Sequence, residues 1–349
     1  MKIFIKYFLI FSTLILNSQD FQFQNLFDAS LNQNIACYRI PSLISTNNEV
    51  LIAAIDERNK SCSDLKWNRD INIVIRKSYD QGKTWSKIEK IIDFPIGQSA
   101  SDPSMIVDRF TNEIFLFFNY MNLDNAKDIY RLMLIKSLDD GESWSKPIDI
   151  TNQITKKEWV NDFMFITSGR GTQTKEGTLL HCLVNLNNGT HVFGSNDHGK
   201  NWFLFETPLK PGDESKIVEL SNGNWLVNSR VNSNGFRYSH LSKNNGLTWE
   251  SYKNNDLIDP GCNASILNYD DNFLLFSNAY NSNSRKNLSI SLSRDSGKNW
   301  IKNKSIYSGE SAYSSMTKLK NGDVGLFFEK DNYTKNVFVR IPVSWILEN

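Results

Sequence analysis

Four arginines of this 349-residue chain stand in or beside apolar, strand-like patterns: Arg39 in Tyr-Arg-Ile-Pro, Arg58 in Asp-Glu-Arg, Arg230 in Asn-Ser-Arg, and Arg285 in Asn-Ser-Arg-Lys-Asn. One such arginine alone reads as a solvated charge or half of a structural ion pair. Several together offer more, because a guanidinium fork meets a carboxylate bidentately through charge-assisted hydrogen bonds. After Arg58 come two aspartates, Asp64 and Asp70, which compete as groups able to carry a proton to and from a reacting oxygen. Tyr313 lies in Ser-Ala-Tyr-Ser. A lone tyrosine in a strand-rich chain reads as half-buried packing, and a phenol with its pKa near 10 is a nucleophile at neutral pH only beside a base. The four cysteines, Cys37, Cys62, Cys182 and Cys262, have neither C-x-x-C spacing nor a companion histidine cluster, which argues against a zinc site. They leave open two disulfides in any of three connectivities, or small buried thiols.

Such residues need a frame, and the chain writes its frame five times. Ser78–Trp85, Ser137–Trp144, Ser195–Trp202, Ser242–Trp249 and Ser293–Trp300 share the pattern Ser-x-Asp-x-Gly-x-(Thr/Ser/Asn)-Trp, with Asn244 replacing the aspartate in the fourth copy. Their starts lie 59, 58, 47 and 51 residues apart, a period that signals a β-propeller or a similar array. Each copy reads as a hairpin: Ser and Asp fold back on backbone amides, Gly takes the positive φ, and Trp anchors the turn. Between copies, Asp70–Ser78, Arg131–Ser137 and Leu288–Ser293 alternate as strands, while Glu113–Asn119 and Phe273–Ser277 are continuous apolar runs suited to inner strands. Asn188-Gly189, Asn222-Gly223 and Asn321-Gly322 mark further hairpins. No long stretch has helical period. The expected fold is therefore all-β, a six-bladed β-propeller of four-stranded blades at about 55 residues each, with Asn336–Leu347 closing the ring against the first blade. A β-sandwich or jelly roll is the competing architecture.

Lysine plus arginine at 39 against aspartate plus glutamate at 38 gives a formal charge of +1 with no long charged run, which excludes nucleic acid as an expected partner. Lys2 and Lys6 precede the apolar run Tyr7–Leu16, too short to span a bilayer, so residues 1–18 read as an export signal rather than an anchor. Residues 19–349 then form one domain, since no linker or composition break interrupts the repeats. Five N-x-S/T sequons, at Asn188, Asn263, Asn287, Asn303 and Asn332, matter only where the source glycosylates exported proteins.

The repeat is the Asp box, and with it the chain resembles the sialidase (neuraminidase) family from about Tyr38 to Glu329. The matching segments are Tyr-Arg-Ile-Pro, Ser101–Asp108, Glu214–Arg230, Asp259–Ser265, Ser311–Ser314 and Gly325–Glu329. The Asp box by itself implies a fold and no chemistry, because propellers without catalysis carry it too. The resemblance implies that Arg39, Arg230 and Arg285 clamp the carboxylate of a sialic acid and that Glu329 orients Arg39. It makes Tyr313 the nucleophile, an exception among retaining glycosidases, most of which attack with a carboxylate. A neutral phenol avoids repulsion from the carboxylate borne by the anomeric carbon. Glu214, sixteen residues before Arg230, is implied as its base. Asp64, six residues after Arg58, matches the family's loop acid/base, and Asp70 its structural neighbour at the head of a strand. Arg58 and Asp102 match residues that contact the C4 substituent and the N-acyl group. Trp67 is expected either to floor the acyl pocket or to sit on a surface loop, and Ser168–Gly171 falls where the family has a glycine turn. Asp213 before Glu214 and Ser215 after it depart from the pattern of many relatives.

The implied function is an exported, retaining exo-α-sialidase acting on sialylated glycans (glycoproteins, gangliosides, oligosaccharides), expected as a monomer with no cofactor and no catalytic metal. Relatives sometimes bind a structural calcium. Two other readings stay open: transfer to an acceptor or to the substrate's own hydroxyl on the same fold, and a non-catalytic binding propeller.

Overall fold

The computed structural model describes residues 21–348, so the expected leader lies outside the described residues. Within them the regular structure is strand, apart from three 3-10 turns and the short helices Thr151–Ile154 and Val343–Leu347. No described helix is long and apolar enough to cross a membrane.

The strands assemble as successive antiparallel meanders. The first is Ile35–Ser45, Leu51–Asn59, Ile71–Ser78 and Glu89–Ile92. The second is Gln98–Val107, Ile114–Asn122, Arg131–Ser137 and Ile148–Asp149, with Gly169–Arg170 added in parallel to its first strand. Met164–Ile166, Leu179–Asn185, Gly189–Ser195 and Phe203–Leu204 make the third, and Ser215–Glu219 through Glu250–Ile258 the fourth. A seven-stranded sheet ends the chain, and its long strand Ile301–Lys318 serves two neighbours: residues 301–310 pair with Lys286–Ser293, and residues 311–318 with Val324–Lys330. The leading strands of the first and second meanders lie side by side, Thr172–Gln173 stands between the second and the fourth, Ser265–Asp270 follows, and Ile301–Lys318 returns to lie beside Ile35–Ser45, which closes a cycle. Lys335–Ile341 packs against the first meander through Phe338 on Trp85, while its hydrogen-bonded outer neighbour is the N-terminal strand Gln24–Asp28.

Apolar side chains fill the spaces between adjacent sheets. Ile52, Ile73 and Ile75 of the first pack on Met105, Leu116 and Phe118 of the second, and Leu43 and Leu51 pack on Phe327 and Phe338 of the last. The Asp boxes bolt these layers together. In each copy the Ser Oγ receives the Gly N–H, and the Asp or Asn Oδ1 receives the N–H four residues on. Asn244 preserves the turn, its amide donating to Thr248 Oγ1 at 2.9 Å where Thr84 Oγ1 donates to Asp80. The glycines have φ near +80° and dock on the preceding sheet: a Cβ on Gly199 would stand 2.2 Å from Phe115, and one on Gly82 2.3 Å from Phe338. The docking of Gly82 on Phe338 joins the first sheet to the last.

Candidate active site

Three leading strands carry a β-bulge, and each bulge falls at a residue singled out above. The register slips between Arg39 and Ser42, between Ser101 and Ser104, and between Ser311 and Ser314. A bulge re-aims side chains at the cost of unpaired backbone groups, and two of these place non-glycine residues at positive φ, Ile40 at 71° and Asp102 at 63°. A β-branched residue in that region is strained and persists only where surroundings over-determine it. Buried carboxylates do so here. Glu329 Oε1 accepts both Ile40 N–H at 2.8 Å and Arg39 Nε at 2.6 Å, while its Oε2 accepts Tyr313 N–H at 3.0 Å. Asp56 Oδ1 accepts Asp102 N–H at 2.9 Å, and its Oδ2 accepts Ser101 Oγ at 2.7 Å.

Glu214 and Arg230 flank the hairpin formed by Ser215–Glu219 and Trp225–Ser229. Its register sets Ser215 opposite Ser229, so the sixteen-residue spacing is the geometry of one hairpin. Tyr313 Oη lies 2.7 Å from Glu214 Oε2, and Arg230 Nη1 reaches both, hydrogen-bonding the same Glu214 oxygen and lying 3.1 Å from Tyr313 Oη. Arg39 and Arg285 stand over the Tyr313 ring at 5.5 and 5.4 Å from its centroid. Burial and the Glu214 charge push the phenol well above its ordinary value, against the opposing pull of Arg230 and Arg285. Asp213 belongs to the same assembly: it accepts Asn232 Nδ2 at 2.7 Å, and Asn232 Oδ1 accepts Arg230 Nε at 2.8 Å.

Arg58 is fully buried with its fork committed. Nε and Nη2 bond Asp56, while Nη1 bonds the Cys62 carbonyl at 2.8 Å and Asp64 Oδ1 at 2.6 Å. Burial pushes the Asp64 carboxyl up, but Arg58, with Arg39 and Arg285 adding, draws it net below the usual range. Asp102 moves the other way, raised by burial and by the Asp56 charge beside it. Cys37 and Cys62 form a disulfide, and Cys182 and Cys262 are buried thiols. The bridge holds the start of the Asp64 loop to the strand that bears Arg39.

A cavity of about 220 Å³ opens over this cluster, lined by Tyr313, Glu214, Arg230, Asp102 and Asp64, with Tyr130, Phe163 and Phe165 as an apolar wall. Trp67 lines it too, 65% exposed, as rim rather than floor. Asp70 is not among the lining residues and instead receives Asn59 Nδ2 at 2.9 Å. The fold thus brings the three arginines, Tyr313, Glu214, Asp64, Arg58, Asp102 and Glu329 into one cluster: Tyr313, Glu214, Arg230, Asp102 and Asp64 line this cavity, Arg285 and Glu329 line a second of about 380 Å³ on the other side of Tyr313, and Arg39 and Arg58 lie behind them.

The chain matches the BNR repeat-like domain family over residues 64–326. The sialidase of Bacteroides fragilis is 29% identical over 85% of this chain and 61% of its own length, and that of Micromonospora viridifaciens 32% identical over 88% and 52%. The solved Hadza microbial sialidase Hz136 superposes with a TM-score of 0.84 at 26% identity, covering 93% of this chain and 69% of that one. The chain belongs to the bacterial-type sialidase family. It spans between half and about three-fifths of the length of those two curated sialidases.

Two residues near this cluster carry no role in the sequence reading. Asp56 holds both Arg58 and the Asp102 bulge, and its signal was present, two positions before Arg58 in the quoted Asp-Glu-Arg. Tyr333 lies with its ring 4.0 Å from the Arg39 guanidinium and its hydroxyl 3.2 Å from Arg285 Nη1. It sits in a hairpin turn between Val324–Lys330 and Lys335–Ile341, where sequence gives no sign of what it faces.

Proposed function

We propose that this chain is an exported, retaining exo-α-sialidase built as a six-bladed β-propeller, the long strand Ile301–Lys318 counting once in each of the last two blades. The observation that carries the catalytic reading is the 2.7 Å contact between Tyr313 Oη and Glu214 Oε2 beneath three arginines. Three positive groups around one phenol suit a substrate whose reacting carbon bears a carboxylate.

In this reading the substrate carboxylate settles on Arg39, Arg230 and Arg285, and remote binding orients the anomeric carbon over Tyr313. Because the phenol's pKa is raised, it attacks as its proton passes to Glu214 rather than as a standing phenolate. The glycosidic bond breaks as Asp64 protonates the departing oxygen, and water, deprotonated by Asp64, later cleaves the tyrosyl–sugar bond while the phenol regains its proton from Glu214. Asp64 must be protonated for the first step although the free site holds it down. The substrate carboxylate supplies the change: on Arg39 and Arg285 it cancels two of the charges that depress Asp64. Asp102, kept neutral by burial and Asp56, offers an O–H to the sugar's N-acyl or C4 substituent. Terminal sialic acids on glycoproteins, gangliosides or oligosaccharides are the proposed substrates, and the apolar wall of Tyr130, Phe163 and Phe165 is the proposed seat of the acyl methyl. Export agrees with the Cys37–Cys62 bridge, which persists in oxidising compartments, and with the leader-like residues 1–18.

The test is hydrolysis of a fluorogenic α-sialoside, with the first-released sugar identified by proton NMR, beside Tyr313→Phe and Asp64→Ala. Release of the α-anomer, lost in Tyr313→Phe, is the expected result. A 2,7-anhydro product or transfer to lactose would redirect the intermediate without changing the site, and no turnover by folded protein on any sialoside would leave a binding propeller.

A further inference from the structure

The leading strands have a second end. About five residues beyond the three bulges and beyond Glu214, roughly 15 Å along a strand, Ser45, Val107, Lys318 and Glu219 line another cavity, of about 250 Å³. Between the two mouths runs the Ser168–Gly171 segment. Gly169 and Arg170 pair in parallel with Ser104 and Met105. The Ser168 and Gly169 carbonyls receive Lys216 and Ser42, and a Cβ on Gly171 would stand 2.5 Å from the Leu180 carbonyl. This segment partitions the channel and sends Arg170 to the far side.

There Arg170 meets Arg109, and both line the cavity with Lys175 and Lys318, against a single lining carboxylate, Glu219. Among the described residues neither arginine has a carboxylate partner. Arg170 donates from Nη1 to the Met316 carbonyl at 3.0 Å, and Arg109 from Nη1 to Asn47 Oδ1 at 3.4 Å. Glu219 is spent on the Lys175 backbone N–H at 2.6 Å, and Lys175 Nζ turns to Asp271 at 3.2 Å. Lys318 donates only to the Tyr269 carbonyl. Burial and the Arg109 charge pull Arg170 down to about 10, so it stays charged at neutral pH beside a like charge. Two guanidiniums converging on a concave, largely uncompensated space are the donor set that planar or tetrahedral oxyanions take.

We infer that the far mouth of the channel is a binding site for a small polyvalent oxyanion, inorganic phosphate or a phosphomonoester, held by Arg170 and Arg109 with Lys318 at its rim. It is independent of sialoside recognition, because the Ser168–Gly171 partition separates it from Tyr313.

Isothermal titration of the full chain with inorganic phosphate, and then with glucose 6-phosphate, tests the assignment. A saturable one-to-one heat is expected. Arg109→Ala and Arg170→Gln should each weaken it about 10- to 100-fold, the worth of a charge-assisted hydrogen bond, and sialoside hydrolysis should be unchanged in both. Arg109 is exposed and its loss does not threaten folding, so the test survives if Arg170→Gln proves unstable. Arg285→Ala should leave the heat intact. A tighter fit for glucose 6-phosphate would assign a monoester, and an equal or weaker one the free ion. No heat with either probe, or a heat lost in Arg285→Ala and kept in Arg109→Ala, would overturn the proposal, the latter by placing the anion on the sialoside arginines.

Discussion

The two mouths of the channel use arginine in opposite ways. Around Tyr313 the guanidiniums lie against groups that favour their charge: Arg39 on Glu329, Arg58 on Asp56 and Asp64, Arg230 on Glu214, and Arg285 within reach of the Tyr333 hydroxyl. All four are pushed above the ordinary arginine value despite burial, which alone would lower them. At the far mouth Arg170 is pulled down, by burial and by its arginine neighbour. The first set is pre-organised: carboxylates fix the direction of Arg39 and Arg230, Arg58 is wholly engaged by Asp56 and Asp64, and Arg285 is held by the Tyr333 hydroxyl and the Gly261 carbonyl. The second has positive charge without that backing and is correspondingly suited to an anion that arrives with its own negative charge. Charge density alone therefore does not mark the reactive mouth. What marks it is the layer of buried carboxylates behind the arginines.

The largest effect should come from Glu214, the group that in the proposed mechanism takes the Tyr313 proton. Glu214→Gln keeps the shape but removes the acceptor for the Tyr313 proton and the charge that faces Arg230. We expect kcat on a fluorogenic sialoside to fall about 10²–10⁴-fold, the usual worth of a positioned base, with KM changed far less. An unchanged kcat would mean that the Tyr313–Glu214 contact is only structural and would erase the contrast between the mouths.

Glu329→Gln comes next. It leaves Arg39 without its charge partner and weakens the acceptor shared by Ile40 and Tyr313, in a place where Glu329 itself is fully buried. Breaking a buried pair from one side costs about 3–5 kcal/mol, read as a lowered urea midpoint, and KM should rise because Arg39 loses its direction. Were stability unaffected, the carboxylate layer would not be what holds the bulges in place.

Much of this was legible in the chain itself, and the reason is locality. Strand alternation and Asp-box turns involve residues within a few positions of each other, so Arg131–Ser137 is a strand with the expected limits and the five hairpins stand where the repeats put them. The Glu214–Arg230 pair was legible only through the family resemblance, and the structure supplies the physical reason for its spacing, the two flanks of one hairpin. Pairings across the whole chain were not. The outer partner of Lys335–Ile341 is Gln24–Asp28, some 300 residues away, and the pairing of Cys37 with Cys62 joins a strand to a loop whose path the sequence does not show. Tyr333 over Arg39 and the junction of Arg109 with Arg170 are juxtapositions of different sheets or segments, with no periodicity to announce them.

A smaller effect, in pH dependence, sharpens the contrast within the reactive mouth. Asp102 is raised by burial and by Asp56, so the folded state holds its proton more tightly than the unfolded chain does. The associated stability is fully present below the ordinary carboxylate range near 4 and is lost as pH rises through the folded value. Asp102→Asn removes that titration: its melting temperature, compared with the parent, should gain progressively from pH 5 to pH 9. A constant difference between the two proteins over that range would show that Asp102 is ionised in the folded state and cannot serve as a neutral donor.

The least effect is expected at the far mouth, and its smallness is the point. Arg109 is exposed, makes one long side-chain hydrogen bond and faces Arg170 without a described counter-charge. Removing it deletes a repulsion along with that weak contact, so Arg109→Ala in phosphate-free chloride buffer should shift stability by no more than about 0.5 kcal/mol, the ordinary range for a surface substitution. The same truncation at Arg39 would strand the buried Glu329 charge and should cost several times more. Adding phosphate should then separate the proteins: the parent's melting temperature rises with ligand by mass action, while the variant's stays nearly flat. If Arg109→Ala destabilised the phosphate-free protein as much as the loss of Arg39 does, the far arginines would be structural after all, satisfied by the fold rather than awaiting an anion.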